Sequence, residues 1–132
     1  MMVNLYRRWL LELWNGDFDA AYELVTPDFV GHWPGREVSG PDGLAEVIRQ
    51  GHEPFEQVKV TLDVGPIVDG DLVSARWTFS GAYRGGIPGA TAAKGTEIAF
   101  SGHDILRAQD GRFAEYWVIS DAQTFMRSLG IG

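Results

Sequence analysis

The feature that most limits the fold of this sequence is a change to period-two hydrophobicity after Gln57. Four segments alternate apolar and polar residues in this way, and each predicts a long β-strand: VKVTLDV (58–64), LVSARWTFSGAY (72–83), TEIAFSGHDILR (96–107) and RFAEYWVIS (112–120). The segments that separate them are GPIVDGD, the glycine-rich RGGIPGATAAKG and the tight AQDG. Because short turns cannot join parallel strands, the pattern predicts an antiparallel meander.

The first half of the sequence has helical periodicity instead. Apolar residues near the N-terminus are spaced by one and four positions, which is typical of an amphipathic helix: Leu5, Tyr6, Trp9, Leu10, Leu13 and Trp14. A second, short helix is predicted from Asp17 to Leu24, followed by a brief extended piece, DFVGHW (28–33). A third helix is predicted to open at SGPDG (39–43), where a proline follows a capping residue.

One more helix, AQTFMRSL (122–129), follows the last strand, and Ser120 or Asp121 is expected to cap its N-terminus. The elements together predict a single α+β domain over residues 1–132, in which a curved antiparallel sheet wraps round the N-terminal helices. Both faces of the strands carry large apolar side chains, among them Trp77, Phe79 and Trp117. A solvated outer face would not usually hold such residues. We therefore expect a sheet bent round a pocket, with its other face in a homodimer.

Charge and composition narrow the range of partners. The chain has 18 acidic and 11 basic residues, a net charge of −7, which disfavours binding to nucleic acid and to anionic membrane surfaces. Arg7, Arg8 and Glu12 interrupt the apolar residues at the N-terminus, so neither a signal peptide nor a membrane span is expected. The sequence contains no Cys, which excludes thiol nucleophiles and disulfides. We expect a cytoplasmic protein whose partner is a small, largely uncharged molecule or another protein.

The hairpin SGHDILRAQDGRFAEYWVISD (101–121) carries the main candidate for acid–base chemistry, Asp104. A two-residue turn at AQDG would place Asp104 opposite Trp117, whereas a three-residue turn with Gly111 in a bulge would place it opposite Tyr116. We favour the second register, which puts Leu106 and Val118 on the same face as Asp104. Burial would raise the pKa of Asp104 and a tyrosine hydrogen bond would lower it, a balance suited to proton abstraction next to a carbonyl. The alternative is an aspartate satisfied by backbone or water near a strand end.

Two further residues are candidates for contact with a substrate. Arg76 alternates with Thr78 and Ser80 and could bind an oxyanion or ester carbonyl in the pocket, or form a salt bridge instead. His32 precedes Trp33 and the third helix, where it could contact substrate or be a hydrogen-bonded structural residue. The three His residues form no HxH or HExxH pattern, so no metal site is expected. Any catalysis is therefore expected to be acid–base chemistry without a metal or cofactor.

Several segments in sequence order resemble the SnoaL-like polyketide cyclases of the nuclear-transport-factor-2-like superfamily: WNGDFDAAYELVTPDFVGHWPG, SGPDGLAEVIR, RWTFSGAYRGGIPG, FSGHDILRAQDGRFAEYWVISD and RSLG. The resemblance covers nearly the whole chain. It implies a cone-shaped α+β barrel with an internal apolar cavity, usually dimeric through the sheet. It also implies ring closure of an aromatic polyketide ester by intramolecular aldol condensation, without a cofactor.

The same resemblance places the family's acid–base Asp on Val118 and its assisting His on Asp104. Val118 cannot transfer a proton, so the family mechanism cannot run unchanged. The first hypothesis is an enzyme in which Asp104 and His32 are catalytic, and Arg76 or Tyr116 steadies an enolate. The residues expected to bind the substrate are Arg76, Tyr116, Leu106, Val118 and Trp33. A non-catalytic binding module is the second hypothesis, and a dimerisation scaffold with a closed cavity is the third.

Overall fold

The computed structural model describes residues 1–131 and contains one six-stranded sheet. The strands are β1 (Val25–Trp33), β2 (Arg36–Ser39), β3 (Phe55–Asp69), β4 (Leu72–Tyr83), β5 (Glu97–Gln109) and β6 (Arg112–Ser120). They lie in the order β2-β1-β6-β5-β4-β3. The four long strands β3 to β6 pair antiparallel, which confirms the predicted meander. The extended piece predicted at 28–33 belongs to a nine-residue strand, β1, that runs parallel to β6, a pairing the sequence pattern did not indicate.

The helices are α1 (Met2–Arg8), α2 (Ala21–Leu24), α3 (Gly40–His52) and α4 (Ala122–Ser128). The N-terminal segment predicted as one α-helix consists of two helical segments. The α-helix α1 continues directly into a π-helical segment, Trp9–Leu13. A 3₁₀ turn, Phe18–Ala20, leads into α2. None of the helices within residues 1–131 combines the length and apolarity needed to cross a membrane.

The cap predicted at the start of α4 is confirmed. The Asp121 carboxylate accepts hydrogen bonds from the Thr124 backbone N–H at 3.0 Å and from its hydroxyl at 2.6 Å. These bonds satisfy one of the free N–H groups at the helix terminus and lower the pKa of Asp121. Asp121 therefore has a structural role at the start of α4, and α4 itself packs beside β5 through the contact of Phe125 with Phe100.

The helices pack inside the curve of the sheet, as the sequence predicts. Trp9 lies at the centre of this core, with ring centroids 4.8 Å from Tyr116 and 5.7 Å from Phe113 on β6 and 6.0 Å from Phe29 on β1. Full burial of a large apolar side chain contributes roughly 1.5–3 kcal/mol. The first helical segment is therefore anchored to the sheet by its aromatic residues and lies along the concave face of the sheet.

The hairpin between β5 and β6 has a different register from the one predicted. Asp110 and Gly111 both have positive φ, of 55° and 82°, so the turn has two residues and pairs Gln109 with Arg112. A bulge then adds one residue to β6 before Glu115. Asp104 therefore lies directly opposite Val118, and the prediction that it faces Tyr116 is wrong by two positions. A shift of two preserves the faces, so Asp104 still shares its side of the sheet with Tyr116 and Val118.

Candidate active site

A cavity of about 150 Å³ lies between the N-terminal helices and the concave face of the sheet. Its walls come from the π-helical segment, α3, α4 and four strands, and they are lined by Leu10, Trp14, Gly51, Phe55, Val60, Trp77, Phe79, Phe100, Asp104, Tyr116 and Phe125. Seven of these eleven residues are aromatic, so the space is apolar over most of its surface. Asp104 and Tyr116 are its only ionisable side chains among the described residues.

Asp104 is almost completely buried, with 2% of its surface exposed. The Tyr6 hydroxyl lies 3.1 and 3.0 Å from the two carboxylate oxygens and donates its hydrogen bond between them. No Lys, Arg or His of the described chain forms an ion pair with this carboxylate. Burial raises the pKa of Asp104 to about 7, against the opposing effects of the Tyr6 hydrogen bond and of the Ala75 backbone. Such a group is half ionised at neutral pH, which suits a general base.

The indole N–H of Trp77 is the third polar group close to Asp104. It lowers the pKa of the carboxyl, although the two do not meet in a hydrogen bond of ordinary geometry. Trp77 reaches this position because it lies over Gly102, where a Cβ would overlap the indole ring. The glycine therefore makes room for the aromatic wall beside the carboxyl group.

Tyr6 is a site residue that the sequence reasoning did not single out. It appears in the sequence only as one member of the apolar stripe, four positions before Leu10, and such a stripe predicts the buried face of a helix. In the fold, the stripe turns its aromatic rings toward the sheet and brings the Tyr6 hydroxyl to β5. Burial raises the pKa of Tyr6, and the charge and hydrogen bond of Asp104 raise it further, so the hydroxyl stays protonated and donates.

Tyr116, Leu106 and Val118 were expected to form the wall beside Asp104. Tyr116 lines the cavity, and burial together with the charge of Asp104 raises the pKa of its hydroxyl. It therefore remains a hydrogen-bond donor at all ordinary pH values. Leu106 and Val118 face the same side but lie behind the cavity lining, where Leu106 is fully buried and Val118 packs opposite Asp104.

His32, expected to be catalytic, does not line this cavity. Its ring lies on the outer face of the sheet, stacked on Trp117, with Nε2 2.7 Å from Glu115 and Nδ1 3.3 Å from Glu37. The reason is the alternation of β1, where Gly31 pairs with Tyr116 on the inner face, which turns His32 outward beside Trp117. The hydrogen bond from His32 is also the largest of the effects that lower the pKa of Glu115, so His32 and Glu115 form a pair of their own on the outer face.

Arg76 is also outside the cavity, so the expectation that it binds an oxyanion there is wrong. The inner face of β4 carries Val73, Ala75, Trp77 and Phe79, all of which are buried. Arg76 alternates with them and is exposed on the outer face, where its guanidinium lies 2.9 Å from Nε2 of His103. The same alternation that the sequence shows for Arg76, Thr78 and Ser80 thus marks the outer face.

Trp33 contacts the wall of the site from outside the cavity. Its indole packs edge to face on Tyr116, with ring centroids 5.1 Å apart, and a Cβ at Gly31 would press against it. Together with Val118 and Trp117 it also lines an open groove at this end of the sheet. Within residues 1–131, no three His, Asp or Glu side chains converge as a metal site would require.

Comparison with known proteins gives one family and many related structures. The family described as SnoaL-like polyketide cyclase matches residues 4–129. TsrD from Streptomyces laurentii is 32% identical over 98% of this chain and 94% of its own, with a TM-score of 0.83. IdmH from Streptomyces antibioticus, a proposed polyketide cyclase, is 27% identical over 91% and 92%, with a TM-score of 0.76. A Catenulispora acidiphila protein with a ketosteroid isomerase-like fold is 18% identical over 97% and 93%, with a TM-score of 0.78. No curated protein matches the sequence.

Proposed function

The chain belongs to the SnoaL-like polyketide cyclase family, and we propose that it catalyses cofactor-free proton transfer next to the carbonyl group of a hydrophobic substrate, in isomerisation or intramolecular aldol cyclisation. One observation carries this proposal: the Asp104 carboxyl group faces an apolar cavity without a counter-ion and has a pKa of about 7. A base of this strength can take a proton at neutral pH and return it. In an apolar cavity it does so without competition from bulk water.

The proposed reaction begins when Asp104 removes a proton from the carbon next to a substrate carbonyl. The electron pair of the broken C–H bond moves to the carbonyl oxygen, which becomes an enolate. The Tyr116 hydroxyl, buried in the same cavity, donates a hydrogen bond to that oxygen. For isomerisation, Asp104 returns the proton to a different carbon. For cyclisation, the enolate carbon attacks a second carbonyl of the same substrate and Asp104 protonates the resulting alkoxide.

Tyr6 acts through Asp104 and is a positioning residue. Its hydroxyl contacts both carboxylate oxygens, which fixes the plane of the carboxyl group and favours its ionised form. Without this bond, burial alone would raise the pKa further, and Asp104 would carry its own proton at neutral pH.

Two observations favour this enzyme over the other functions the fold could support. A binding module that has lost its base would be favoured by an Asp104 that is ion-paired or turned away from the cavity, and Asp104 is neither. A dimerisation scaffold would be favoured by a cavity filled by Trp and Phe side chains, whereas about 150 Å³ stays open. Val118 stands where the resemblance expects the family's Asp, and the carboxyl group directly opposite it takes over that role in this proposal.

Hydrogen–deuterium exchange tests the proposal. Wild type and Asp104→Asn are incubated in deuterated water with β-keto esters and aromatic ketones, and loss of the α-proton signal is followed by NMR. Faster exchange with wild type, lost in Asp104→Asn, supports the base. Asp28→Asn makes the same chemical change at an exposed position and should exchange like wild type. Binding of these ligands to both proteins with no exchange by either would overturn the catalytic proposal in favour of a binding module.

A homodimer through the outer face of the sheet is part of the same proposal. Three large apolar side chains are exposed there on β5 and β6: Ile105 (46%), Trp117 (37%) and Ile119 (70%). A cluster of this kind on a sheet face is typical of an interaction surface. The cytoplasmic location expected from the sequence stays a prediction.

A further inference from the structure

The cavity has two chemically different ends. At one end lie the Asp104 carboxyl group and the Tyr116 hydroxyl. At the other, four phenylalanines pack against each other, with ring centroids 5.6 Å apart for Phe55 and Phe79, 5.1 Å for Phe79 and Phe100, and 4.8 Å for Phe100 and Phe125. We call these four rings the phenylalanine end. A ligand with one polar and one flat apolar part matches this arrangement.

The volume of the cavity limits the apolar part of such a ligand. A cavity of about 150 Å³ lined by apolar side chains holds a molecule about as large as benzene. The cavity as a whole therefore has room for a single six-membered ring that carries a small polar group. Two fused rings would need the side chains of the phenylalanine end to move apart.

The charge of the lining limits the polar part. Among the described residues that line the cavity there is no Lys, Arg or His, and the one acidic group is Asp104 itself. A ligand carboxylate would lose its hydration on entry and would meet no cation. Once Asp104 is ionised, the two negative charges would also repel each other in a poorly screened environment.

We infer that the substrates of this site are neutral ketones or esters whose apolar part is a single six-membered ring, an inference that rests on the proposed function. The ring lies among Phe55, Phe79, Phe100 and Phe125, and the carbonyl with its α-carbon lies at Asp104 and Tyr116. Carboxylates and compounds with two or more fused rings are excluded. Size and charge thus select the substrate independently of the reaction.

Four matched probes test the inference by binding alone. Acetophenone has one ring and a neutral carbonyl, benzoate replaces its methyl group by an anionic oxygen, and 2-acetonaphthone adds a fused ring. Benzylamine, a cation near neutral pH, tests whether the aromatic lining and Asp104 select an amine instead. Titrations at pH 8 followed by NMR should give a dissociation constant for acetophenone at least tenfold lower than for each of the others. Tighter binding of benzoate, 2-acetonaphthone or benzylamine would overturn the inference.

Two variants separate the effects of size and charge. Phe125→Ala, or Phe125→Leu if the first is unstable, enlarges the phenylalanine end and should improve the binding of 2-acetonaphthone about tenfold while benzoate stays weak. Met126→Ala, at an exposed neighbouring position on α4, should change neither. Asp104→Asn removes the negative charge and should improve the binding of benzoate relative to that of acetophenone. Unchanged selectivity in both variants would show that the lining does not set it.

The binding data also distinguish failure of this inference from failure of the proposed reaction. Selective binding of acetophenone, with no exchange of its methyl protons, would leave the ligand class standing and remove the catalytic role of Asp104. Faster exchange for 2-acetonaphthone than for acetophenone would leave the base standing and remove the size limit.

Discussion

The Tyr6 hydroxyl donates one hydrogen bond between both oxygens of the Asp104 carboxylate, at 3.1 and 3.0 Å, across 98 positions of the sequence. This contact joins the first helix to the strand that carries the candidate base. It also opposes the effect of burial, which by itself raises the pKa of the carboxyl group. The strength of the base is thus set by how these two effects balance.

Removing the Tyr6 hydroxyl should change that balance in a defined direction. In Tyr6→Phe the carboxylate loses a hydrogen bond to its charged form, which contributes about 1.5–3 kcal/mol, so the pKa of Asp104 should rise by roughly one to two units. The rising limb of the pH profile for α-proton exchange, expected near pH 7 in wild type, should move to higher pH. Tyr22→Phe removes a hydroxyl that binds exposed Asp42 and should leave the profile in place. An unmoved profile in Tyr6→Phe would contradict the role assigned to Tyr6.

The buried carboxyl group should make the protein less stable as pH rises. The pKa of Asp104 is about 7 in the folded protein and close to its ordinary value of 3.8 when unfolded, so between these values the folded state binds the proton more tightly. Unfolding then releases a proton, and the free energy of unfolding falls with rising pH by up to about 4 kcal/mol. The free energy of unfolding of Asp104→Asn should equal that of wild type near pH 4 and exceed it by a few kcal/mol at pH 8. Urea unfolding at several pH values measures both, and a difference that is constant with pH would refute the shifted pKa.

A side chain at Gly102 should destabilise the fold. A Cβ there would overlap the Trp77 indole ring and come within 3.0 Å of the Ile119 carbonyl oxygen. Displacing the indole costs about 1–3 kcal/mol when a packed core is overfilled, so Gly102→Ala should lower the free energy of unfolding by that amount. Gly51→Ala, on α3 with nothing near the added Cβ, should be neutral or stabilising. Equal stabilities of the two variants in urea would show that Trp77 can move freely.

Strand positions were predictable from the sequence because alternation is a local property. β4 and β6 have the bounds that the pattern predicts, and the inner face of the hairpin was correct for Asp104 and Tyr116. The register was not, because the turn has two residues instead of three, and a bulge inside β6 adds a position that nothing in the alternation of its residues marks.

Contacts between elements that are distant in the sequence could not be predicted from the alternation of apolar and polar residues. The stripe that contains Tyr6 indicates a buried helix face but not the strand it meets. The polar row of Arg76, Thr78 and Ser80 and the place of His32 beside Trp33 suggest contact with a substrate, but a local pattern does not say which face of the sheet is concave. The parallel pairing of β1 with β6 settles this for His32, by turning Gly31 inward.

The outer face should hold two copies of the chain together. Ile119 is 70% exposed beside Trp117, and an ion placed there would have to be buried in a dimer interface. Wild type should have a mass near 29 kDa by light scattering, twice the 14.6 kDa of one chain, and Ile119→Asp should lower it toward one chain. Val3→Asp, at an exposed apolar position on α1, should keep the wild-type mass. A monomeric wild type would remove the proposed dimer.

A second carboxylate opposite Asp104 should weaken it as an acid. Val118 is Asp104's direct partner across the β5–β6 ladder, and opposed side chains lie about 4.5–5.5 Å apart at their Cβ atoms. In Val118→Asp, the two carboxyl groups would share a poorly solvated site, and like charges at this distance disfavour ionisation of both. The pair should then titrate in two steps, with the upper one above the value of about 7 for Asp104 alone.

The matched control for this change is Val118→Asn, which has nearly the same shape as Val118→Asp and no charge. We expect the rising limb of the exchange profile to move to higher pH in Val118→Asp and to stay within about half a unit of wild type in Val118→Asn, since only the first adds a negative charge. NMR titration of the carboxyl carbons measures the same shift directly. Equal profiles in the two variants would mean that the added carboxylate turns toward solvent and does not interact with the base. The position that the resemblance assigns to the family's acid–base Asp, Val118, would then have no access to the site that Asp104 occupies.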